Sequence, residues 1–248
     1  MTVPTRVAVA CLLWPVASLA GAKPYSIEDL VALDKAGSHQ ELLDHAEDVA
    51  PASRDARWQG LVEKAAAQSV AGPDAIQALT ATESLLKRYS FLKKSSVFAP
   101  ARSAATLKGI GACYDARKYD DCAARAVALI DGDRALALQV GKLVTRKQFV
   151  YFAVPMFRKA AEGGYDKKIC EDDDLLRSVA AALELPKDHE MLPDARDITS
   201  KFCFAEVLDT IEAKVRASTP DSYLAQNTCD LLKAKGALAK LKPNPCTP

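Results

Sequence analysis

The sequence predicts an all-α protein built from stacked antiparallel helical hairpins. Nearly every segment places apolar residues at helical spacing, β-branched alternation is scarce, and dipeptides typical of β-hairpin turns are almost absent. Short helices joined by short turns pack antiparallel. The expected architecture is therefore an irregular α-solenoid or a helical bundle without a substantial β-sheet.

The first half of the chain alternates helix-forming stretches with turn residues. Ser26 and Asp29 match a capping box before a helix that ends at Gly37. Ser38 and Glu41 match a second box in front of the next helix. Further helices are expected over residues 53–70, 76–89, 99–116, 120–130 and 133–144.

The second half contains one ambiguous segment, QFVYFAVPMFRKAA. Its FVYFAV core has strand propensity, but Phe149, Phe152 and Met156 share one helical face. The pattern predicts a helix that is kinked at Pro155, because proline removes a backbone donor and clashes with the preceding turn. Further helices are expected over residues 173–183, 192–199, 204–217 and 220–235, the last with Thr219 as its N-cap.

The N-terminal 22 residues have the organisation of a cleaved secretory signal peptide. Arg6 precedes an uncharged apolar run over 7–20, and small residues follow. A spanning helix needs about 20 apolar residues, and lipidation at Cys11 would leave too short an apolar region before it. We expect an exported helical domain over 23–242, followed by an irregular tail over 243–248.

The net charge and the absence of known motifs exclude several classes of partner and of catalytic site. The chain carries 33 basic and 32 acidic residues, which argues against a nucleic-acid or anionic-membrane partner. It has no N-glycosylation sequon, so a bacterial periplasm or exterior is favoured. It also has no Gly-x-Ser-x-Gly elbow, His-Glu-x-x-His motif or dinucleotide loop. No cofactor is expected.

Six cysteines remain after signal cleavage, an even number that indicates disulfides in an exported chain. Cys113 and Cys122 would face each other across a helical hairpin. Zinc ligation or a redox pair would need Cys-x-x-Cys spacing or a Cys-His cluster, which the sequence lacks. Nearest-neighbour pairing predicts Cys113–Cys122, Cys170–Cys203 and Cys229–Cys246, among about 15 possible connectivities.

Two other residue classes could form functional sites. The acidic run Glu171 to Asp174 could hold a hard cation, but acidic residues at a helix start also stabilise the helix dipole, and calcium-loop spacing is absent. We therefore expect a helix cap and no metal site. The histidines His39, His45 and His189 leave a catalytic site assembled from dispersed residues open.

Two turn regions, LVALDKAGSHQELLDHA and IGACYDARKYDDCAARA, resemble the helix-turn-helix of tetratricopeptide repeats. The matching positions are Gly37 and Lys118 at the turn, His39 and Tyr119 at the aromatic position, and Ala46 and Ala126 at the small position. Leu42 and Cys122 depart from the expected small residue, and the turns are not separated by a multiple of the 34-residue period. HEAT-like pairs are an alternative.

The resemblance implies a concave face, lined by the first helices of the hairpins, that receives a protein or peptide. The expected solvent-facing residues of that face are Asp34, Lys35, Arg57, Lys64, Arg102 and Lys108. Tyr151 lies off the main apolar stripe and is a further candidate contact. We expect a non-enzymatic protein-binding or scaffold module of the bacterial envelope; a helical enzyme and a purely structural envelope protein are the alternatives.

Overall fold

The computed structural model describes residues 25–72, 74–147, 149–240 and Cys246. The predicted signal peptide, with Cys11, and most of the predicted tail lie outside the described residues. The described ranges contain thirteen α-helices and no strand, which confirms the all-α prediction. In chain order the helices are α1 (Ile27–Ala36), α2 (His39–His45), α3 (Ala56–Ser69), α4 (Ala75–Arg88), α5 (Ala99–Asp115), α6 (Tyr119–Ile130), α7 (Arg134–Arg146), α8 (Val154–Ala161), α9 (Lys167–Cys170), α10 (Asp173–Leu183), α11 (Leu192–Asp197), α12 (Phe204–Ala217) and α13 (Tyr223–Ala234).

The chain divides into two compact units, with the boundary inside α3 between Leu61 and Val62. In the first unit, the predicted capping box of α1 is confirmed: the Asp29 amide donates to Ser26 Oγ at 3.2 Å, and the Ser26 amide donates to Asp29 Oδ2 at 2.8 Å. Trp58 anchors the start of α3 by donating its indole N–H to the Ala46 carbonyl at 2.8 Å. Local caps and one buried indole therefore fix this small unit.

The second unit has α10 at its centre. This helix packs against α7, α8, α11, α12 and α13. Its buried residues include Leu175, Val179 and Leu183, each with no solvent exposure. Asn227 on α13 closes the end of α10, since its side-chain amide donates to the carbonyls of Leu183 at 2.9 Å and Leu185 at 3.0 Å. The end of α10 is therefore held by a buried polar contact as well as by apolar packing.

Close packing of α7 against α8 depends on a glycine. A Cβ built on Gly141 would lie 2.8 Å from the ring of the fully buried Phe157. We expect Gly141→Ala to lower the free energy of unfolding by about 2 kcal/mol, because overpacking forces the ring or the helices apart. Chemical denaturation measures this loss.

Gly111 on α5 provides the matched control. A Cβ at this position would lie 3.8 Å from Leu143, an ordinary van der Waals distance. Alanine is the better helix former by about 0.8 kcal/mol, so Gly111→Ala should leave stability unchanged or increase it. Equal losses in the two variants would contradict the close packing at Gly141.

All three predicted disulfides are confirmed. The Cα–Cα distances are 5.7 Å for Cys113–Cys122, 5.1 Å for Cys170–Cys203 and 5.1 Å for Cys229–Cys246. The first joins the end of α5 to the start of α6, as the hairpin pattern predicts. Three bridges are compatible with an exported protein.

The predicted kinked helix around Pro155 is wrong. The chain forms a 3-10 helix over Val150–Ala153 and then starts α8 at Val154. Pro155 lies in the first two positions of α8, where a missing N–H leaves no helical hydrogen bond unmade. The proline therefore begins a helix instead of bending one.

Two predicted caps also differ from the structure. Ser38 precedes α2 but makes no side-chain capping hydrogen bond. Thr219 accepts a turn hydrogen bond from the Ser222 amide at 3.0 Å, and Ser222 is the N-cap of α13. Proline favours the second position of a β-turn, and Pro220 has that position in the turn from Thr219 to Ser222. Helix α13 therefore starts after this turn.

The two turns that resemble a tetratricopeptide turn have their left-handed residue at different positions of the motif. Gly37 has a left-handed backbone, with a φ of 74°, as a helix-ending glycine does. In the second turn the left-handed residue is Arg117, with a φ of 60°, and Lys118 instead precedes α6. The resemblance to repeat proteins remains a prediction.

Candidate binding groove

Helices α10 and α12 run side by side in the same direction. The Cys170–Cys203 bridge joins the residues just before their first turns, and Cys203 is the residue that precedes α12. Near their opposite ends, Lys214 of α12 forms an ion pair with Glu184, the residue that follows α10. The two helices are thus tied together at both ends.

A groove made of two adjoining compartments lies between α10 and α12 and beside the end of α12, where the chain turns into α13. Its narrow compartment has a volume of about 220 Å³ and its wide compartment about 550 Å³. Lys214 lines both, so the two compartments adjoin at this side chain. The narrow part is lined by Asp173, Leu176, Arg177, Ala180, Thr210 and Lys214, and the wide part by Glu184, Lys214, Ala217, Ser218, Ser222, Tyr223 and Leu224.

The wide end combines apolar surface with a small number of polar groups. Lys214 Nζ lies 2.7 Å from Glu184 Oε1, and both side chains are about half exposed. Tyr223, at the start of α13, is 48% exposed. An exposed tyrosine beside a cavity is typical of binding surfaces, because its ring supplies contact area at low conformational cost.

The acidic run that the sequence placed near α10 is a helix cap, as predicted. Asp172 accepts hydrogen bonds from the amides of Asp174 and Leu175. Asp172 also contacts Lys142, and Asp174 pairs with Arg177 at 2.9 Å. Within the ranges that the structure covers, no group of three or more His, Cys, Asp and Glu side chains could hold a metal ion.

The sequence-predicted contact residues lie elsewhere. Lys35 and Arg57 are exposed in the first unit, where Arg57 pairs with Glu28 at 3.2 Å, and Asp34 is half-buried. Lys64 and Lys108 are exposed in the second unit. The groove contains none of these residues.

Arg102 does not face solvent, so this part of the prediction is wrong. Its side chain is 4% exposed and bonds to the carboxylate of Asp133, the N-cap of α7. A second guanidinium nitrogen lies 3.4 Å from the Lys93 carbonyl. Helix α5 is packed against α4, α6 and α7, and these neighbours enclose the position.

Tyr151 belongs to a chain of half-exposed aromatic rings. Its ring centroid lies 4.7 Å from that of Phe152 and 5.7 Å from that of His189. At the other end of this row of rings, the ring centroids of Tyr119 and Phe149 lie 4.4 Å apart, next to the buried Tyr114. Burial, with a smaller effect of Asp120, raises the pKa of Tyr114 to about 12. The rings pack on one another, which favours a structural role.

A charged cluster between α8 and α11 contains carboxyl groups with divergent pKa values. Burial raises the pKa of Asp194, although Arg158 at 3.2 Å acts in the opposite direction. A hydrogen bond from Lys201 is the main cause that lowers the pKa of Asp197. Divergent carboxyl groups are one feature of acid–base sites. Here burial accounts for the raised pKa of Asp194 and the contact with Lys201 for the lowered pKa of Asp197, and both carboxyl groups are in ion pairs.

Sequence reasoning did not find the groove. Its residues are spread over α10, α12 and α13, and their spacing matches no motif. The available signals were the Cys170–Cys203 pairing, which places the starts of two helices together, and an exposed Tyr223 after a turn. Neither signal indicates a groove without the packing of the helices.

Comparison with protein-family models, with curated proteins and with solved structures gives no match for this chain. In the part of the chain that the structure describes, none of the helices has both the length and the apolar character needed to cross a membrane.

Proposed function

We propose that the protein is exported and acts as a non-enzymatic binding or scaffold module of the bacterial cell envelope. The α10–α12 groove takes a segment of a partner protein. The observation that carries this proposal is the pair of adjoining cavities beside α10 and α12, with an exposed tyrosine at the wider one. The wide compartment alone, at about 550 Å³, lies within the range of about 300–1,000 Å³ that is usual for ligand sites.

The chemistry of the groove favours binding over catalysis. A catalytic site needs a nucleophile or general base that a second group orients. In the wide compartment the charged residues Lys214 and Glu184 pair with each other, while Ser218 donates to the Val215 carbonyl and Ser222 accepts from the Ala225 amide. These polar groups are already engaged in holding the helix ends.

Site-specific photo-crosslinking in intact cells tests the proposal. A photoreactive phenylalanine analogue replaces Thr210 or Tyr223 in the groove, and the exposed Tyr165 provides a control position outside it. The groove positions should yield the same discrete crosslinked protein, and Tyr165 should not. The Ala217→Glu change should reduce that crosslink because it places a charge on the exposed apolar lining.

Charge reversal at the partner-binding residues that the sequence predicted tests the competing location of the binding site. Reversing Arg57, Lys64 and Lys108 together should leave the groove crosslink intact. Loss of the crosslink in this variant, with an unchanged helical spectrum, would move the binding site away from the groove. Absence of any groove-specific crosslink would contradict the proposed function and favour the purely structural alternative.

A further inference from the structure

The wide end of the groove presents one positive and one negative side chain, each from a different helix. Lys214 projects from α12 and Glu184 follows α10, and they pair at 2.7 Å across the groove. Both line the same cavity as the apolar residues Ala217 and Leu224 and the ring of Tyr223. The cavity therefore offers a donor cation, an acceptor anion and an apolar wall together.

This arrangement selects the charge of a ligand. A ligand that carries only an anion would take Lys214 and leave Glu184 without its cation, and a cationic ligand would have the converse effect. A ligand with both charges can replace the ion pair completely, so that each side chain exchanges one partner of opposite sign for another. The cavity is thus complementary to a zwitterion that also carries an apolar group.

We infer that the wide end binds a short peptide with free ends and an aliphatic side chain. The peptide carboxylate binds Lys214, the peptide ammonium binds Glu184, and the side chain packs on Ala217, Leu224 and Tyr223. This inference goes beyond the proposed function, because it gives the wide end of the same groove a second ligand, a free short peptide, besides the segment of a partner protein.

A dipeptide fits the wide end once the Lys214–Glu184 ion pair opens. Two extended residues span about 7 Å, so the Lys214–Glu184 pair must open to admit the two ends. Opening is possible because both side chains are about half exposed, and exposed ion pairs contribute little to stability. The cavity volume of about 550 Å³ leaves room for two aliphatic side chains.

Three dipeptides of nearly equal shape test the inference by isothermal titration calorimetry. Leucyl-leucine carries both charges, N-acetyl-leucyl-leucine carries only the carboxylate, and leucyl-leucine amide carries only the ammonium. The zwitterion should bind about tenfold more tightly than either derivative, because each derivative loses one charge-assisted contact.

Charge-neutral variants identify which end binds which residue. Lys214→Gln should weaken leucyl-leucine about tenfold but should not weaken the amide, since the amide has no carboxylate and no longer has to displace Lys214 from Glu184. Glu184→Gln should weaken leucyl-leucine similarly and should not weaken the acetylated peptide, which no longer has to displace Glu184 from Lys214. Glu212→Gln, on the same helix but outside the groove lining, is the control and should affect none of the three.

Each outcome has a defined meaning. Equal affinity for the three dipeptides, or no binding of leucyl-leucine at millimolar concentration, would overturn the inference. If the Tyr223 crosslink persists in that case, the proposed function stands and only the zwitterion assignment fails. Loss of both the crosslink and dipeptide binding would remove the groove as a site. Circular dichroism of each variant verifies that the fold is retained.

Discussion

Replacing Cys170 and Cys203 together by alanine should lower the free energy of unfolding by about 3.7 kcal/mol. The bridge closes a loop with a sequence separation of 33, and chain-entropy estimates give this loss for a loop of that length. The residues precede α10 and α12, so the two walls of the groove also lose the link at their starts. Non-reducing urea denaturation measures the change.

The Cys113–Cys122 pair is the internal comparison for this prediction. Its sequence separation is 9, for which the same relation gives about 2.6 kcal/mol. Removing this bridge should therefore cost about 1 kcal/mol less and should leave groove crosslinking unchanged. A larger loss for the shorter loop would show that native packing, and not loop closure, determines the contribution of each bridge.

The disulfide pattern shows what could be predicted from the sequence. Cys113 and Cys122 stand on either side of one turn, so helical periodicity alone places them face to face. The predicted nearest-neighbour pairing also succeeds for Cys170 and Cys203, because α11 and the π-helix over Ile198–Phe202 return the chain between them. Local spacing is sufficient to predict a disulfide pairing where the chain between the two cysteines folds back on itself.

The groove and the environment of Arg102 could not be predicted in the same way. Helical periodicity identifies the apolar stripe of α5 but does not indicate how many other helices surround it. Three neighbours enclose α5, so a charged residue that lies off the main stripe becomes buried. The groove likewise depends on the distance at which α10 and α12 pack, and no local pattern encodes that distance.

Arg102→Met should lower the free energy of unfolding by about 3 kcal/mol. The substitution keeps an unbranched apolar side chain in place of the aliphatic part of Arg102 but leaves Asp133, whose side chain is 25% exposed, without its cation. Breaking a buried ion pair costs about 3–5 kcal/mol, and the partial exposure of Asp133 places this loss at the lower end. By contrast, Arg57→Met removes an exposed pair with Glu28 and should change stability by about 0.5 kcal/mol or less.

A second substitution separates the effect of the unpaired Asp133 charge on stability from the effect of lost packing at Arg102. Asp133 also caps α7, since it accepts from the Leu136 amide at 3.0 Å. Asparagine keeps that capping oxygen but removes the negative charge. The Arg102→Met, Asp133→Asn double variant should therefore regain about half of the stability lost by Arg102→Met alone. If urea denaturation shows no recovery, the contribution of Arg102 comes from its packing against α5 and its neighbours, and not from the ion pair with Asp133.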